Sequence, residues 1–255
     1  MATKKPIVNV NTEENKKTSA EDVDTSNFKI TPESKSKAGK FRLIAIVAWM
    51  LAIASEGVAI YFLGKPPVNT TVLIALIVAA MILAIAGSQF WQKANRLDPA
   101  SKKDKARFFI QNQLGLIITI IAFAPLIFLI FTNKNMDKKQ KSLVGIVAIV
   151  ALLIAGYFGI DFTPPSIEEY QQQTQEIVEL TGQNHVYWTT SGTKYHVFSD
   201  CYHINQEKTV QIFEGTVAQA RELKSIVELC KTCTDRWHNE HANDTDTTTD
   251  DTVSE

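Results

Sequence analysis

The chain has 255 residues, and its 26 Lys and Arg nearly balance its 27 Asp and Glu. These averages resemble those of a soluble globular protein, but they combine two polar ends with a strongly apolar middle. From residue 183 to 242, six Lys or Arg stand against seven Asp or Glu. This balance argues against nucleic-acid binding, which needs a basic face to displace the counterions of the phosphates.

Residues 1–40 form the first polar end. They are rich in Lys, Glu, Thr, Asn and Ser and poor in bulky apolar residues. Such a segment buries too little surface to offset its ordering entropy, so it is predicted to be a disordered tail. The first apolar run is too long for the core of a signal peptide and lacks a small-residue cleavage site after it. We therefore expect it to remain in the protein as an anchor.

Four apolar stretches approach the length of about 20 residues that crosses a bilayer core. Leu73 to Ala86 and Leu114 to Phe131 contain almost no polar residue, whereas helices of a soluble bundle would keep a polar face. The predicted fold is therefore an α-helical membrane protein with a small C-terminal α+β domain. The predicted transmembrane helices cover residues 41–63, 72–91, 108–131 and 143–160.

Lys and Arg near the span ends indicate the orientation, because their excess marks the cytoplasmic side. The first span is preceded by Lys35, Lys37, Lys40 and Arg42, and the loop between spans two and three is also basic. This pattern places the N-terminus in the cytoplasm, and four spans return the C-terminal domain to the same side. The basic loop 134–141 then lies outside, against the rule. Alternatively, a re-entrant hairpin at the third span, broken by Pro125, would place the C-terminal domain outside.

Glu56 is an ionisable residue within the first predicted span. A charge at this depth is costly unless it is paired, neutralised or facing a cavity, and it is a functional candidate by default. A milder interpretation is that Glu56 reaches the bilayer surface or is protonated against Ser55. Glu56 motivates the alternative function, a small-solute or ion transporter or channel with an accessory C-terminal domain.

The chain changes character after the fourth span. The pair Pro164-Pro165 cannot continue a helix. Ser166 and Glu169 then match a capping box, and a linker helix is predicted within residues 161–182, ended by Gly182. This helix is expected to hold the last domain away from the bilayer. The final segment, 243–255, is rich in Asp and Thr and is predicted to be a disordered acidic tail.

The last domain is predicted to span residues 183–242. Val186-Tyr-Trp188 and Tyr195-His-Val-Phe198 favour strands of a hairpin, with Gly192 available for a positive φ in the turn. Thr216 and Gln219 match a second capping box, and the apolar residues that follow recur at helical spacing. A domain this small usually needs a disulfide or a metal to be stable.

All three cysteines of the chain lie in this domain. Cys230 and Cys233 form a C-x-x-C pair that can hold one zinc ion from a single turn, and Cys201 and His196 are predicted to complete a tetrahedron. His203 is the alternative fourth ligand, followed by His238 and His241. A redox pair and unliganded core thiols are the competing interpretations. With four protein ligands no position is open to water, so the predicted zinc ion is structural.

Several motifs of the last domain resemble the small zinc-binding domain related to the N-terminal domain of the Ada DNA-repair protein. They are Val186-Tyr-Trp-Thr, Gly192-Thr-Lys-Tyr-His196, Asp200-Cys201, Gly215-Thr216 and Leu229-Cys230-Lys-Thr-Cys233. The apolar half resembles uncharacterised bacterial multi-span membrane proteins that end in this module. That likeness rests on Gly87-Ser-Gln-Phe-Trp-Gln-Lys-Ala-Asn-Arg-Leu-Asp-Pro-Ala-Ser101, Phe109-Ile-Gln-Asn-Gln-Leu-Gly115 and Phe131-Thr-Asn-Lys134.

The resemblance also implies an enzymatic possibility, since the Ada domain uses four cysteines, one of which accepts a methyl group from DNA phosphate. Here His196 stands at the matching first-pair position, with a spacing one residue longer, so the methyl acceptor is missing. We therefore expect no enzymatic activity. The predicted protein is a multi-pass protein of the cell membrane, and its zinc-stabilised domain is expected to serve interaction, sensing or assembly with a protein partner.

Overall fold

The computed structural model describes residues 5–10, 30, 32–224 and 226–242, with the side chains of 222–224 and 242 excepted. The chain divides into two compact units. The helical unit comprises Ile30–Ile167, and the α/β unit combines Glu168–Glu255 with Met1–Lys29. The predicted acidic tail, 243–255, lies outside the described residues, as do most residues of the predicted N-terminal tail.

The helical unit contains four helices that are long and apolar enough to cross a membrane. This confirms the prediction of four long apolar helices. Their outward-facing side chains include large exposed hydrophobics such as Met50, Ile82, Phe128 and Leu153, a surface that water would not favour. The helices are α1 (Pro32–Leu63), α2 (Thr70–Leu97), α3 (Lys105–Thr132) and α4 (Lys138–Gly159).

Helix α1 begins earlier than predicted, at Pro32 rather than at residue 41. Proline suits the first helical position, because its φ is already helical and its missing N–H would have no partner there. Glu33 then pairs with Lys37 one turn later at 2.7 Å. The prediction of a disordered tail up to residue 40 is therefore wrong for residues 32–40.

Helix α3 runs unbroken through Pro125 over 28 residues. The re-entrant hairpin considered for this span is therefore not what the chain forms. The carbonyl that a proline leaves without a partner is tolerated when neighbouring groups compensate. The amino end of this helix is capped by Asp104, whose carboxylate accepts the backbone N–H of Arg107 at 3.1 Å.

Helices α1 and α2 pack along a seam of buried residues that alternate in steps of three and four, the spacing of a left-handed coiled pair. Small residues let the backbones approach closely. A Cβ atom at Gly87 would lie 2.5 Å from the Trp49 ring, so only glycine fits there. The buried positions of α1 along this seam are Ala45, Trp49, Ala52, Glu56, Ala59 and Leu63.

Buried amides join the helices at the C-terminal end of α2. Asn95 donates to the Gln111 carbonyl at 2.8 Å and to the Asn112 side-chain oxygen at 3.3 Å. Gln92 donates to the carbonyls of Phe158 and Ile160 near the end of α4, at 3.0 and 3.2 Å. Because these bonds connect different helices in an apolar surrounding, they fix the relative position of α2, α3 and α4 at this end.

The described residues of the α/β unit form three helices and five short strands. Its elements are β1 (Ile7–Asn9), α5 (Ile167–Thr181), β2 (Val186–Thr189), β3 (Lys194–Tyr195), β4 (Ile212–Gly215), α6 (Val217–Lys224), β5 (Glu228–Leu229) and α7 (Lys231–Ala242). One sheet has the order β1-β4-β2, and a second pairs β3 with β5 in parallel. The main core combines Ile177, Val186, Trp188, Tyr195, Val217, Ala220 and Ile226.

Strand β1 belongs to the segment predicted to be disordered, so the prediction is also wrong for Ile7–Asn9. This strand runs parallel to β4, with Ile7 opposite Ile212 and Asn9 opposite Glu214. The Asn9 side chain also donates to the Glu214 carboxylate at 2.8 Å. Three residues carry no recognisable alternation, and their hydrogen-bond partners lie some two hundred positions away, so local sequence contains no signal for this strand.

Helix α5 is part of the α/β unit and not a separate linker, which corrects the prediction. Ile177 is fully buried in the main core, and Tyr170, seven residues earlier on the same face, is 3% exposed. Gly182 ends the helix with φ at 71°, as predicted. The Thr216–Gln219 capping box is also confirmed, since the two side chains bond each other's backbone N–H groups at 2.8 and 3.2 Å.

The predicted hairpin is only partly formed. Strand β2 pairs along its length with β4 in antiparallel orientation, whereas β3 pairs with β5. A single bridge between Tyr187 and His196 connects the two predicted strands. Gly192 does not adopt a positive φ, but a Cβ atom there would lie 2.7 Å from the Thr189 hydroxyl, so space rather than φ favours glycine.

Candidate metal centre

Four buried side chains of the α/β unit bring their metal-binding atoms together. His196, Cys201, Cys230 and Cys233 each offer one nitrogen or sulfur atom, and these atoms all lie within 4.8 Å of one another. The Cys233 Sγ and His196 Nδ1 atoms are 3.6 Å apart. A tetrahedron with metal–sulfur bonds of about 2.3 Å has edges of about 3.8 Å. The spacing of the cluster therefore fits a single tetrahedrally coordinated ion.

His196 is positioned by backbone hydrogen bonds. Its N–H donates to the Tyr187 carbonyl and its carbonyl accepts from the Tyr187 N–H, both at 2.7 Å. The preceding residue, Tyr195, accepts the Cys230 N–H at 2.9 Å. These bonds tie the histidine to β2 on one side and bring the C-x-x-C pair to it on the other.

Cys201 lies in a tight turn. Its N–H donates to the Phe198 carbonyl at 3.2 Å, and its own carbonyl accepts the Ile204 N–H at 3.1 Å. The Asn205 side chain donates to the carbonyls of Ser199 and Cys201 at 2.8 and 3.1 Å. Asn205 thus orients the loop that carries the ligand. Sequence reasoning missed this residue, although Asn is one of the residue types that favour turns.

Cys230 and Cys233 lie at the start of helix α7. The N–H groups of Cys233 and Thr234 donate to the Cys230 carbonyl at 3.0 and 3.1 Å, which closes the turn and places both sulfurs on the same side. The positive end of a helix dipole and the nearby backbone N–H groups favour a thiolate at this position. The start of the helix therefore offsets part of the cost of a buried thiolate, the form of cysteine that binds metals.

Burial controls the protonation of the metal-free cluster. It raises the pKa of the Cys233 thiol to about 12, raises the pKa of Cys201, and lowers the pKa of His196 to about 4. The N–H groups of Phe198 and His203 partly oppose this by donating to the sulfurs of Cys233 and Cys201. The imidazole is therefore neutral, the form that binds metals, and a bound cation would displace the thiol protons.

The other histidines considered as ligands lie outside the cluster. His203 is exposed, and its Nε2 lies 3.1 Å from the Thr232 hydroxyl. His238 is exposed on α7, and His241 stacks on Trp237 with ring centroids 4.0 Å apart. Among the described residues, His196 is therefore the histidine that faces the three cysteines.

A disulfide is not formed, since all three cysteines are free and buried. Three sulfurs and one nitrogen are soft or borderline donors, a set that suits zinc better than a hard cation such as magnesium. The four donors are all buried. Because a tetrahedral ion takes four ligands, these four donors fill its coordination sphere. Such an arrangement can hold an ion in the fold but offers no position for a substrate.

Arg236 contacts the loop that carries Cys201 from outside the cluster. Its guanidinium pairs with Asp200 at 2.9 Å and with Glu240 at 2.7 Å, and it lies 4.2 Å from the Phe198 ring centroid. Because Asp200 precedes Cys201 and Arg236 follows Cys233, this contact connects the two ligand-bearing segments from outside. These groups are partly exposed, so the ion pair contributes little to stability by itself.

Glu56, the predicted functional residue of the helical unit, is 5% exposed. Its Oε1 atom has no hydrogen-bond partner in the described part of the chain. The neighbouring Ser55 hydroxyl is engaged elsewhere, donating to the Leu76 carbonyl of α2 at 3.1 Å. The proposed contact between Glu56 and Ser55 is therefore not formed, and the carboxyl group faces the α1–α2 seam.

The comparisons with known proteins find no relative. No family model matches the chain, and no match is found among curated proteins or among solved structures. The likeness to the Ada-related zinc domain therefore stays a prediction from motifs. What the site can do is argued from its geometry and donor chemistry.

We expect the purified full-length chain to carry close to one zinc ion per molecule, measured by elemental mass spectrometry. Cys230→Ser should lose most of this metal, because serine is a poor zinc ligand and three donors remain. His203→Ala is the matched control and should retain it, since His203 lies outside the cluster. Equal loss of metal in both variants would contradict the assignment of the four ligands.

Proposed function

We propose that this chain is a multi-pass membrane protein in which a structural zinc ion stabilises a small domain that binds a protein partner. The observation that carries this proposal is the closed cluster of His196 and the three cysteines, all buried and close enough to share one ion. A catalytic zinc site keeps one position for water or substrate, and this donor set leaves none. The proposed role is therefore interaction, sensing or assembly, not catalysis.

The energetics favour a structural role. The strands of the α/β unit have two to four residues each, and strands this short are not stable alone. A structural zinc ion contributes about 10–16 kcal/mol in small zinc domains, which matches or exceeds the stability of a typical domain, about 5–15 kcal/mol. The ion would thus account for most of the stability of this unit.

A protein partner fits the exposed surface of the α/β unit better than a nucleic acid does. Tyr202, next to the ligand Cys201, is 70% exposed, and Val210 is 84% exposed. Exposed aromatic and aliphatic side chains are typical of protein contacts. The Lys and Arg residues of 183–242 do not outnumber the acidic ones, so the phosphate backbone of a nucleic acid would gain little there.

We further propose that both ends of the chain lie in the cytoplasm. Two observations support this arrangement. The N-terminal strand β1 pairs with β4 of the C-terminal part, which requires the segments before α1 and after α4 to be on the same side of a membrane crossed four times. The basic residues before α1 and between α2 and α3 favour the cytoplasmic side for that shared face.

Removing the metal tests the structural role. In the full-length chain treated with a zinc chelator, we expect limited proteolysis to cut within residues 186–233, because the α/β unit loses its main source of stability. The four long helices should stay protected under the same conditions, which provides an internal control. Mass spectrometry of the fragments locates the cuts. A chain that has lost its zinc but resists cleavage as before would contradict a structural ion.

Epitope tags test the sidedness. With one tag at each end of the full-length chain, protease added to intact cells should remove neither tag, and permeabilisation should expose both. A tag inserted between α1 and α2, after Lys65, serves as the control and should be cleaved from outside. Cleavage of only one terminal tag in intact cells would contradict a shared side. Cleavage of both would contradict the cytoplasmic assignment.

A second candidate function, transport of protons or small cations, is favoured by Glu56. Its carboxyl group is buried in an apolar seam and its Oε1 atom has no hydrogen-bond partner among the described residues. A lone carboxyl in such a place is costly, and membrane proteins keep such groups mainly along proton or ion pathways. On this proposal Glu56 exchanges a proton or a cation between the two sides.

We expect Glu56→Gln to reduce proton or alkali-cation flux in proteoliposomes severalfold, because glutamine cannot exchange a proton. Glu33→Gln is the matched control, since the Glu33 side chain is 71% exposed and pairs with Lys37 one turn later in α1. Flux is measured with an encapsulated dye under an imposed gradient. Absence of any flux in the unmodified protein, or equal flux in the Glu56 variant, would contradict the transport function.

A further inference from the structure

The helical unit has an open groove of about 590 Å³ at the end where α2 stops and α3 starts. It combines two arginines with an aromatic ring and an aliphatic surface. The principal lining residues are Arg42, Trp91, Arg107, Ile110, Gln111 and Leu114. Its size is within the range of sites for small organic ligands, about 300–1,000 Å³.

The first cation of the groove is held in a fixed position. The Arg42 guanidinium contacts the Asp98 carboxylate at 2.6 Å and the Asp98 carbonyl at 3.1 Å. Its central carbon lies 5.7 Å from the centre of the Trp91 ring, and the Trp91 N–H donates to the Gln111 carbonyl at 2.7 Å. Arg42 is therefore preorganised, although Asp98 offsets part of its charge.

The second cation is available to a ligand. Arg107 is exposed on the first turns of α3, and in the described part of the chain its side chain has no ion pair or hydrogen bond. The nearest acid in the groove, Asp104, uses its carboxylate to accept the Arg107 backbone N–H at 3.1 Å as the helix cap. The guanidinium of Arg107 can therefore bind an anion from outside the chain.

An aliphatic strip continues from this cation along α3. Arg107, Ile110 and Leu114 follow one another at helical spacing and lie on one face. Ile110 is 53% exposed, and Leu114 is partly buried. A ligand that fits both parts has an anionic head beside the arginines and an apolar tail along the strip.

The charge around the groove points to an anionic lipid and not to a neutral one. Residues 102–107 contain Lys102, Lys103, Lys105 and Arg107 against the single acid Asp104. Basic segments next to a membrane helix attract anionic lipids, and basic pockets between helices bind their headgroups. Trp91, lining the same groove, is a residue type that prefers the boundary between bilayer and water.

We propose that this groove binds an anionic phospholipid, with its phosphate between Arg42 and Arg107 and an acyl chain along Ile110 and Leu114. The binding site lies entirely within the helical unit and is separate from the zinc cluster. The inference rests on the membrane insertion included in the proposed function. It assigns a ligand to the groove that contains Arg42 and Arg107.

Lipid retention by the full-length protein tests this site. The protein is reconstituted into vesicles of phosphatidylglycerol and phosphatidylcholine in equal amounts, checked for insertion by flotation, extracted in mild detergent, and analysed for bound lipid by mass spectrometry. We expect phosphatidylglycerol to be enriched. Arg107→Gln should lower this enrichment about fivefold, the contribution of one cation near an anionic surface.

Two further variants make the test specific. Lys139→Gln removes the same charge from an exposed position at the start of α4, outside the groove, and should leave the enrichment unchanged. Ile110→Glu places a carboxylate in the groove and should abolish it. Circular dichroism and flotation check that each variant folds and inserts.

Several results would overturn the inference. Equal retention of the two lipids, or equal losses in Arg107→Gln and Lys139→Gln, would show that the groove does not select an anionic lipid. Displacement of phosphatidylglycerol by millimolar inorganic phosphate would identify a soluble anion as the ligand. A protein that does not float with the vesicles would contradict membrane insertion and this site together, whereas floating protein without lipid selectivity contradicts the site alone.

Discussion

The α/β unit depends on bringing two distant segments of the chain to one point. The loop that carries His196 and Cys201 meets the C-x-x-C turn through a parallel pairing of two residues on each side, Lys194–Tyr195 with Glu228–Leu229. Such a pairing supplies too few hydrogen bonds to offset the entropy of closing the intervening loop. A shared ion would provide the missing free energy, and the partly exposed Arg236 ion pairs add little.

The helical unit depends on close approach between helix backbones and not on a metal ion. Small residues let the backbones meet, and a Cβ atom at Gly115 would lie 2.9 Å from the Gly159 carbonyl of α4. Van der Waals contact and hydrogen bonds between helices are the forces that hold helices together in a bilayer, where burial of apolar surface brings no gain. The amides of Gln92 and Asn95 provide those bonds at one end. Glu56 is also buried, and in the described part of the chain its Oε1 atom has no hydrogen-bond partner.

The pairing of β1 with β4 links the two polar ends of the chain in one folded unit. A segment that precedes the first helix thus completes a sheet whose other strands follow the fourth. The α/β unit is therefore connected to the helical unit by the chain at two places, before α1 and after α4. A partner that binds at the β4 edge would compete with β1 for the same backbone groups.

The local sequence was sufficient to predict much of the fold and part of the metal site. The long apolar runs predict the four helices, because a helix satisfies its own backbone groups within a few residues. Gly182 and the Thr216–Gln219 box identify helix ends for the same reason, and Cys230 with Cys233 indicates a metal site because the spacing itself sets the geometry. The sequence also favoured His196 over the alternative His203, and tertiary structure brings His196 to the cysteines. Tertiary structure alone decided that β2 pairs with β4, that β1 exists, that Ile177 belongs to a core, and that Arg42 and Arg107 line one groove. Each of these depends on a partner far along the chain, and no pattern within a short window encodes the identity of that partner.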